Sequence, residues 1–234
     1  MKKDNQKLNN FNFYQIFEGT TPPFRLNYSI SEPNWQIFKL YLDYILDYSE
    51  SKKYHPVSGL LDLIIQAENL PIETRFQTAC ICVESILNSE FDLEVEIDKK
   101  LKEQIENINK HINENVEEKL KSRIQGLLAQ LLNIRPKDKL YKLKSDNLID
   151  ERLIKDWEDL RNPIIHGEQL QAEKLQEYLN KYYSTLTLFY QLIFLKIGYI
   201  GKFSDYSLPN WPDKELKKEF RTYGICTTWY KTYY

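Results

Sequence analysis

Residues 172–200 read AEKLQEYLNKYYSTLTLFYQLIFLKIGYI, and their apolar side chains recur every three or four positions. The stripe consists of Leu175, Leu179, Tyr182, Leu186, Phe189, Ile193 and Ile197. This period predicts one long helix with a buried face. Its second half is the most membrane-like segment of the chain, yet it contains Ser184, Thr185, Thr187, Gln191 and Lys196. Because a span needs about 20 predominantly apolar residues, we expect a helix that is buried or faces a second copy.

The same helical period extends upstream of this stretch. It predicts helices over residues 34–46, 56–68, 71–89 and 148–161. Residues 94–132, rich in Glu, Lys and Asn, form either one long helix or two helices broken near residues 113–115. We predict a loop at residues 135–138 and a last short helix at residues 213–223. No alternating run is long enough to indicate a sheet, so the predicted fold class is all-α, with helices packed around one core.

Length and composition limit the classes of protein to which this chain can belong. The chain has 234 residues, of which 42% are hydrophobic and 28% charged, with 7 Gly and 9 Pro. These values exclude wholesale disorder and allow a proper core. A formal charge of -2 excludes the uniformly basic surface of a protein that coats duplex DNA, so any contact with nucleic acid is expected to be local. We divide the chain into an N-terminal extension, residues 1–59, irregular apart from one helix, and a helical domain with a C-terminal tail, residues 60–234.

The cysteines and the N-terminus indicate the compartment. Cys80, Cys82 and Cys226 are too few and odd in number for a disulfide framework. In a helix the side chains of Cys80 and Cys82 point about 200° apart, which prevents them from sharing a metal ion. The N-terminus has no apolar run followed by a small-residue cleavage site. We therefore expect a cytoplasmic protein, without a membrane partner.

Most catalytic motifs are missing from the sequence. There is no glycine-rich phosphate loop, no Gly-x-Ser-x-Gly, no His-Glu-x-x-His and no Cys-x-x-Cys. The histidines are His55, His111 and His166. A histidine-rich metal site is therefore improbable, and we predict neither a metal nor a cofactor. His55 is expected to be a surface or capping residue, and His111 to lie on a solvated helix face.

His166 differs from the other two because of its neighbours in the stretch DWEDLRNPIIHG, residues 156–167. On an ideal helix Arg161 and His166 would lie about 140° apart around the axis and about 7.5 Å apart along it. Pro163 removes one backbone donor and clashes with the carbonyl of Asp159, which predicts a kink or a restart of the helix. Such a break can turn both side chains toward one cleft.

The two residue types suit the cleavage of RNA. A guanidinium is a permanent, planar cation that can hold a phosphodiester, and an imidazole titrates near neutrality and can move a proton. Attack of a ribose 2′-hydroxyl on its own phosphate needs orientation, charge stabilisation and proton transfer, but no metal. The spacing alone also allows a structural interpretation, in which Arg161 pairs with Glu158 and His166 caps the end of a helix.

The run Trp157-x3-Arg161-Asn162-x3-His166-Gly167 resembles the Arg-x4-His signature of HEPN domains. An earlier helix with Arg75-Phe76 and Glu84-Ser85-Ile86-Leu87 is similar to an early HEPN helix that carries an acidic residue. The segment Leu195-Lys196-Ile197-Gly198-Tyr199 resembles the end of the HEPN domain in the ApeA-like group, which is associated with antiphage defence. The resemblance covers roughly residues 60–205, with Pro163 as a departure between the Arg and the His.

The resemblance implies a HEPN-like helical bundle that forms a homodimer, with two copies of the motif in one metal-independent endoribonuclease site for single-stranded RNA. Arg161 would hold the scissile phosphate and His166 would transfer a proton. Asn162 would orient the pair or the RNA backbone. Glu84 would position Arg161 or His166, and beside His166 it would raise the pKa of the imidazole.

The family also implies a biological setting and two alternatives. The setting is a toxin-like or antiphage effector, with an antitoxin or regulatory protein as a possible partner. One alternative is a module that binds RNA or nucleotides without cutting them. The other is a helical scaffold in which Arg161 and His166 are structural.

Overall fold

The computed structural model describes residues 32–49, 55–95, 99–165 and 170–216. These residues form eight α-helices, a 3₁₀ turn at Ala172–Lys174 and two short strands. The helices are α1 (Glu32–Ser49), α2 (Pro56–Ala67), α3 (Ile72–Glu90), α4 (Lys99–Asn115), α5 (Glu118–Gln130), α6 (Pro136–Ser145), α7 (Glu151–Ile165) and α8 (Leu175–Lys196). The strands are β1 (Gly201–Ser204) and β2 (Asp213–Leu216). The predicted helical class is confirmed.

Helix α8 is the centre of the fold, and it packs against α7 and α3. Its side chains from Ser184 to Leu195 are all buried, as the sequence led us to expect for this helix. Two of its buried hydroxyls are satisfied within the helix, because Thr185 and Thr187 donate to carbonyl oxygens four residues earlier, at 2.9 and 3.0 Å. Among the helices described, none is both long enough and apolar enough to cross a membrane.

Helices α2 and α3 form a hairpin that packs on α8 through α3. His55 is the N-cap of α2: its Nδ1 accepts a hydrogen bond from the amide of Val57 at 3.1 Å, and its side chain is buried. The capping role expected for His55 is confirmed, although the residue is not at the surface. His111 lies on an exposed face of α4, as expected.

The inner face of α3 carries its fully buried side chains, among them Phe76, Val83 and Leu87. The C-terminal carbonyl groups of this helix are bound by α6, since Lys139 Nζ donates to the oxygens of Leu87 and Phe91, each at 2.8 Å. Burial on one side and this anchor at the end hold α3 in place. The opposite edge of α3, with Glu84, is thereby presented beside α7.

The charged stretch 94–132 contains two helices, so the second of the two predicted arrangements is confirmed. Helix α4 ends at Asn115 and α5 begins at Glu118. Helix α5 has no buried residue, and its main neighbour is α4.

Helix α6 overturns the loop predicted for residues 135–138. Pro136 is the first residue of this helix, where a missing N–H breaks no intrahelical hydrogen bond. Asp138 completes the start by accepting from the amide of Arg135 at 2.9 Å. A proline beside charged residues thus marks the start of a helix here, and the loop prediction is wrong.

The predicted short helix at residues 213–223 is wrong for its described part. Residues Asp213–Leu216 form β2, which pairs antiparallel with β1 in the register Gly201↔Leu216 and Ser204↔Asp213. Left-handed backbone at Asn210 (φ 62°) and Trp211 (φ 49°) turns the chain between the strands. Four residues are too few to show a hydrophobic period, so their structure depends on pairing with β1.

The predicted domain division at residues 59/60 stays a prediction. Helix α2 crosses that position, and its Val57 and Leu60 share one hydrophobic core with Ile37 of α1. Residues 1–31, most of the predicted irregular extension, lie outside the described residues.

Candidate functional site

The candidate site lies where α3 and α7 pack side by side. Arg161 of α7 donates a hydrogen bond from its Nε to the carboxylate of Glu84 on α3, and the two form an ion pair. The side chains are 34% and 26% exposed, so the pair is at the surface and is partly shielded from water. Of the two partners that the resemblance implied for Glu84, the structure brings Arg161 to it.

A second contact fixes the guanidinium. The Arg161 head group lies 5.7 Å from the centroid of the Trp157 ring, which is one helical turn earlier on α7. Trp157 is itself only 3% exposed and belongs to the core. Arg161 is therefore held by a carboxylate from α3 and by an aromatic face from its own helix. These two contacts restrict the conformations of its side chain.

The pair with Glu84 leaves most of the Arg161 donors unused. A guanidinium has five N–H donors, and the Nε–H is the one bound to Glu84. Within the described part of the chain, Arg161 makes no further hydrogen bond or ion pair. Its two terminal NH₂ groups can thus bind an oxyanion while Glu84 keeps the side chain in position. The alternative pairing with Glu158 does not occur, since Glu158 pairs with Lys137 at 2.7 Å.

Asn162 is exposed on α7 and forms no hydrogen bond with the Arg161–Glu84 pair. It lies one turn after Asp159 on the same face of the helix. Asp159 contacts Lys181 of α8 at 3.5 Å. Although partial burial works against the charged form, the carboxylates of Glu177 and Asp159 raise the pKa of Lys181. An ion-paired lysine therefore lies on the Asn162 side of α7, which sequence reasoning missed.

Pro163 lies inside α7, which continues to Ile165. Of the predicted kink or restart at this proline, the restart is therefore wrong, and the kink stays a prediction. The physical reason is its position near the C-terminus, where the missing N–H removes one hydrogen bond while those of the preceding turns remain. His166 is next after the last residue of α7 and lies outside the described residues, as does the predicted convergence of Arg161 and His166.

Cys80 lies one turn before Glu84 on α3, and its side chain is buried. Burial, with a smaller contribution from the charge of Glu84, raises the pKa of its thiol to about 12. The thiol is therefore protonated at physiological pH and is a poor nucleophile. Among the described residues no group of three or more His, Cys, Asp or Glu side chains is arranged to hold a metal ion.

Two residues near the pair carried no functional prediction of their own. Trp157 was part of the motif, and its spacing of four residues from Arg161 on a helix is a signal that they touch. Lys181 had no such signal, because its contact with Asp159 joins two helices and depends on how they pack.

Comparison with protein-family models, with curated proteins and with solved structures gave no match to this chain.

Proposed function

We propose that this protein is a metal-independent endoribonuclease of the HEPN type, which cleaves single-stranded RNA at a site composed of two copies of the chain. One observation carries the proposal. Arg161 is anchored by Glu84 and Trp157 at the surface, with its terminal NH₂ groups unbound within the described residues, on the helix that leads directly to His166. An anchored and partly exposed guanidinium of this kind is what a phosphodiester ligand requires.

The proposed reaction is an internal transfer of the phosphoryl group. The 2′-hydroxyl oxygen attacks the adjacent phosphorus and loses its proton, while the bond from phosphorus to the 5′-oxygen breaks. The products are a 2′,3′-cyclic phosphate and a 5′-hydroxyl end. Arg161 stabilises the negative charge on the non-bridging oxygens, and His166 takes or supplies the proton. With two copies of the motif facing each other, one imidazole acts as the base and the other as the acid.

Glu84 and Asn162 have supporting roles in this proposal. Glu84 is a positioning residue, because it touches Arg161 and holds the guanidinium in one orientation. Asn162 is exposed next to Arg161 and would contact the RNA backbone. The resemblance of the motif to the HEPN family also supports a biological role. By this resemblance the protein is a toxin-like or antiphage effector that forms a homodimer, with a possible antitoxin partner.

The test is cleavage of labelled single-stranded RNA in the presence of EDTA. We expect wild type to cut, Arg161→Ala to lose about 10²–10³-fold in rate and His166→Ala about 10²–10⁴-fold. Lys155→Ala is the matched control, since it removes an exposed cation from the same helix. Among the described residues, the ion pair of Lys155 is with Glu151, away from Arg161. This variant is expected to retain wild-type activity. Circular dichroism melting of each variant shows whether it folds.

Other outcomes identify the alternatives. RNA binding that requires Arg161, without cleavage in any variant, would indicate a non-catalytic binding module. Neither binding nor cleavage, together with loss of thermal stability in Arg161→Ala and His166→Ala, would indicate a scaffold. Cleavage that disappears with EDTA would overturn the metal-independent reaction.

A further inference from the structure

A cavity of about 580 Å³ lies away from the Arg161–Glu84 pair, between the connection from α6 to α7, helix α8 and the β1–β2 hairpin. Its volume is in the range of sites that bind small molecules. Its lining includes Ile149, Gln191 and Leu216, and neither Arg161 nor Glu84. The cavity is therefore a separate feature from the proposed ribonuclease site.

Gln191 is the unusual residue of this cavity. It lies in the buried part of α8 with only 3% of its surface exposed, and it lines the cavity. Its carboxamide makes no hydrogen bond with any residue that the structure describes. By contrast, the buried hydroxyls of Thr185 and Thr187 on the same helix are both bonded. The carboxamide atoms are not among the fully buried polar atoms that lack a partner in the described residues, so they are accessible from the cavity. A polar ligand in the cavity can therefore form hydrogen bonds with them.

Part of the cavity wall is apolar, and polar residues form the rest of the lining. The buried side chains of Ile149, Phe203 and Leu216 belong to the apolar part. Aliphatic and aromatic side chains of this kind accept a flat ring, and a polar group beside them, such as the Gln191 amide, sets its orientation. The carboxamide offers a donor and an acceptor side by side, which match a ring edge that carries the complementary pair.

The charges around the cavity disfavour an anionic ligand. Lys214 Nζ lies 3.8 Å from Asp150 and 3.7 Å from Asp205, so its charge is already balanced by carboxylates. Glu215 also lines the cavity. Among the described lining residues Lys214 is the only cation, and two carboxylates already neighbour it, so the cavity offers a phosphate no unbalanced positive charge.

We propose that this cavity binds an uncharged nucleobase or nucleoside, whose donor–acceptor edge pairs with the carboxamide of Gln191 between Ile149, Phe203 and Leu216. The proposal does not depend on the ribonuclease activity, because it uses none of the same residues.

The experiment is calorimetric titration of the intact protein with adenosine, guanosine, cytidine and uridine, and with their 5′-monophosphates. We expect at least one nucleoside to bind with a dissociation constant of about 1 mM or tighter, and its monophosphate to bind more weakly. Gln191→Leu should weaken binding about tenfold or more, while its melting temperature stays equal or rises because Leu has a similar volume and brings no polar group into the core.

Two control variants show whether binding depends on the cavity itself. Thr187→Val removes a buried hydroxyl of the same helix that does not line the cavity, and it should retain nucleoside binding. His166→Ala should also retain it, which distinguishes this cavity from the ribonuclease site. The proposal is overturned if no nucleoside binds, if Gln191→Leu binds as well as wild type, or if only the monophosphates bind.

Discussion

At the scale of single residues, Glu68 is a buried carboxylic acid whose surroundings shift its pKa. Its side chain is 7% exposed at the end of α2. The hydroxyl of Tyr182 donates to it at 2.9 Å, and Arg75 lies 3.5 Å away. Burial raises the pKa of this carboxyl, against the opposing effects of the hydrogen bond from Tyr182 and the charge of Arg75. The folded protein therefore favours the protonated form more than the unfolded chain does.

This shift predicts a pH dependence of stability. A carboxyl whose pKa is raised above the ordinary value of 4.5 stabilises the fold fully below that value and loses the contribution as the pH rises through its folded pKa. Glu68→Gln removes the titration. We therefore expect the free energy of unfolding of Glu68→Gln to increase relative to wild type as the pH rises from about 4 to about 7.

Urea unfolding of both proteins over this pH range measures the difference. Tyr182→Phe provides a second check, because it removes the hydrogen bond that lowers the pKa of Glu68. In that variant the loss of stability should move to higher pH. A difference between Glu68→Gln and wild type that is constant with pH, or that shrinks as the pH rises, contradicts the assignment.

At the scale of elements, α7 keeps a proline in its last turn. Pro163 cannot donate to the carbonyl of Asp159, and its ring crowds that carbonyl. The helix nevertheless reaches Ile165, so its packing on α8 and α3 compensates for the lost hydrogen bond. In the sequence the proline lies between the two residues of the proposed site.

We expect Pro163→Ala to raise the free energy of unfolding by about 1–2 kcal/mol, since it restores a backbone donor and removes the crowding. Asn162→Ala is the control, because Asn162 is exposed and already has the backbone N–H that Pro163 lacks. It should change the free energy of unfolding by less than about 0.7 kcal/mol. Urea unfolding measures both values. A Pro163→Ala variant less stable than wild type would show that packing of the proline ring outweighs the backbone terms.

Helix α5 is weakly attached to the rest of the described fold. None of its residues is buried, and its main packing is against α4. We expect amides of α5 to exchange with deuterium on the order of a hundredfold faster than those of α8, because local opening of α5 exposes little apolar surface. Exchange followed by mass spectrometry measures this ratio. Equal protection of α5 and α8 would indicate that α5 is covered in solution.

At the scale of the whole molecule, stability comes from one core shared by α2, α3, α7 and α8. Leu186, at the middle of α8, is fully buried, whereas Leu127 on α5 is 63% exposed. We expect Leu186→Ala to cost about 2–5 kcal/mol of unfolding free energy. The same change at Leu127 should remain within about 0.5 kcal/mol. Urea denaturation of the two variants tests this, and similar costs at the two positions would contradict the assignment of the core.

Prediction from the sequence succeeded where the signal is local. The stripe that ends in Ile193 and Ile197 predicted α8, and the apolar spacing of α3 placed Phe76 and Val83 in the core. It failed at α6, whose proline marks a helix start, and at β2, which has four residues and no period. Of the candidate site, the motif around Arg161 was found from the sequence, and Lys181 was not.

The order and the inward faces of most helices follow from the chain alone, because periodicity and caps act between residues a few positions apart. The resemblance left Arg161 or His166 as the partner of Glu84, and only the tertiary structure brought Glu84 to Arg161 across 77 positions. It also paired β1 with β2 and placed the amide of Gln191 at a cavity. Such contacts depend on how separate elements pack, and packing selects partners by shape and burial over distances that no local pattern records.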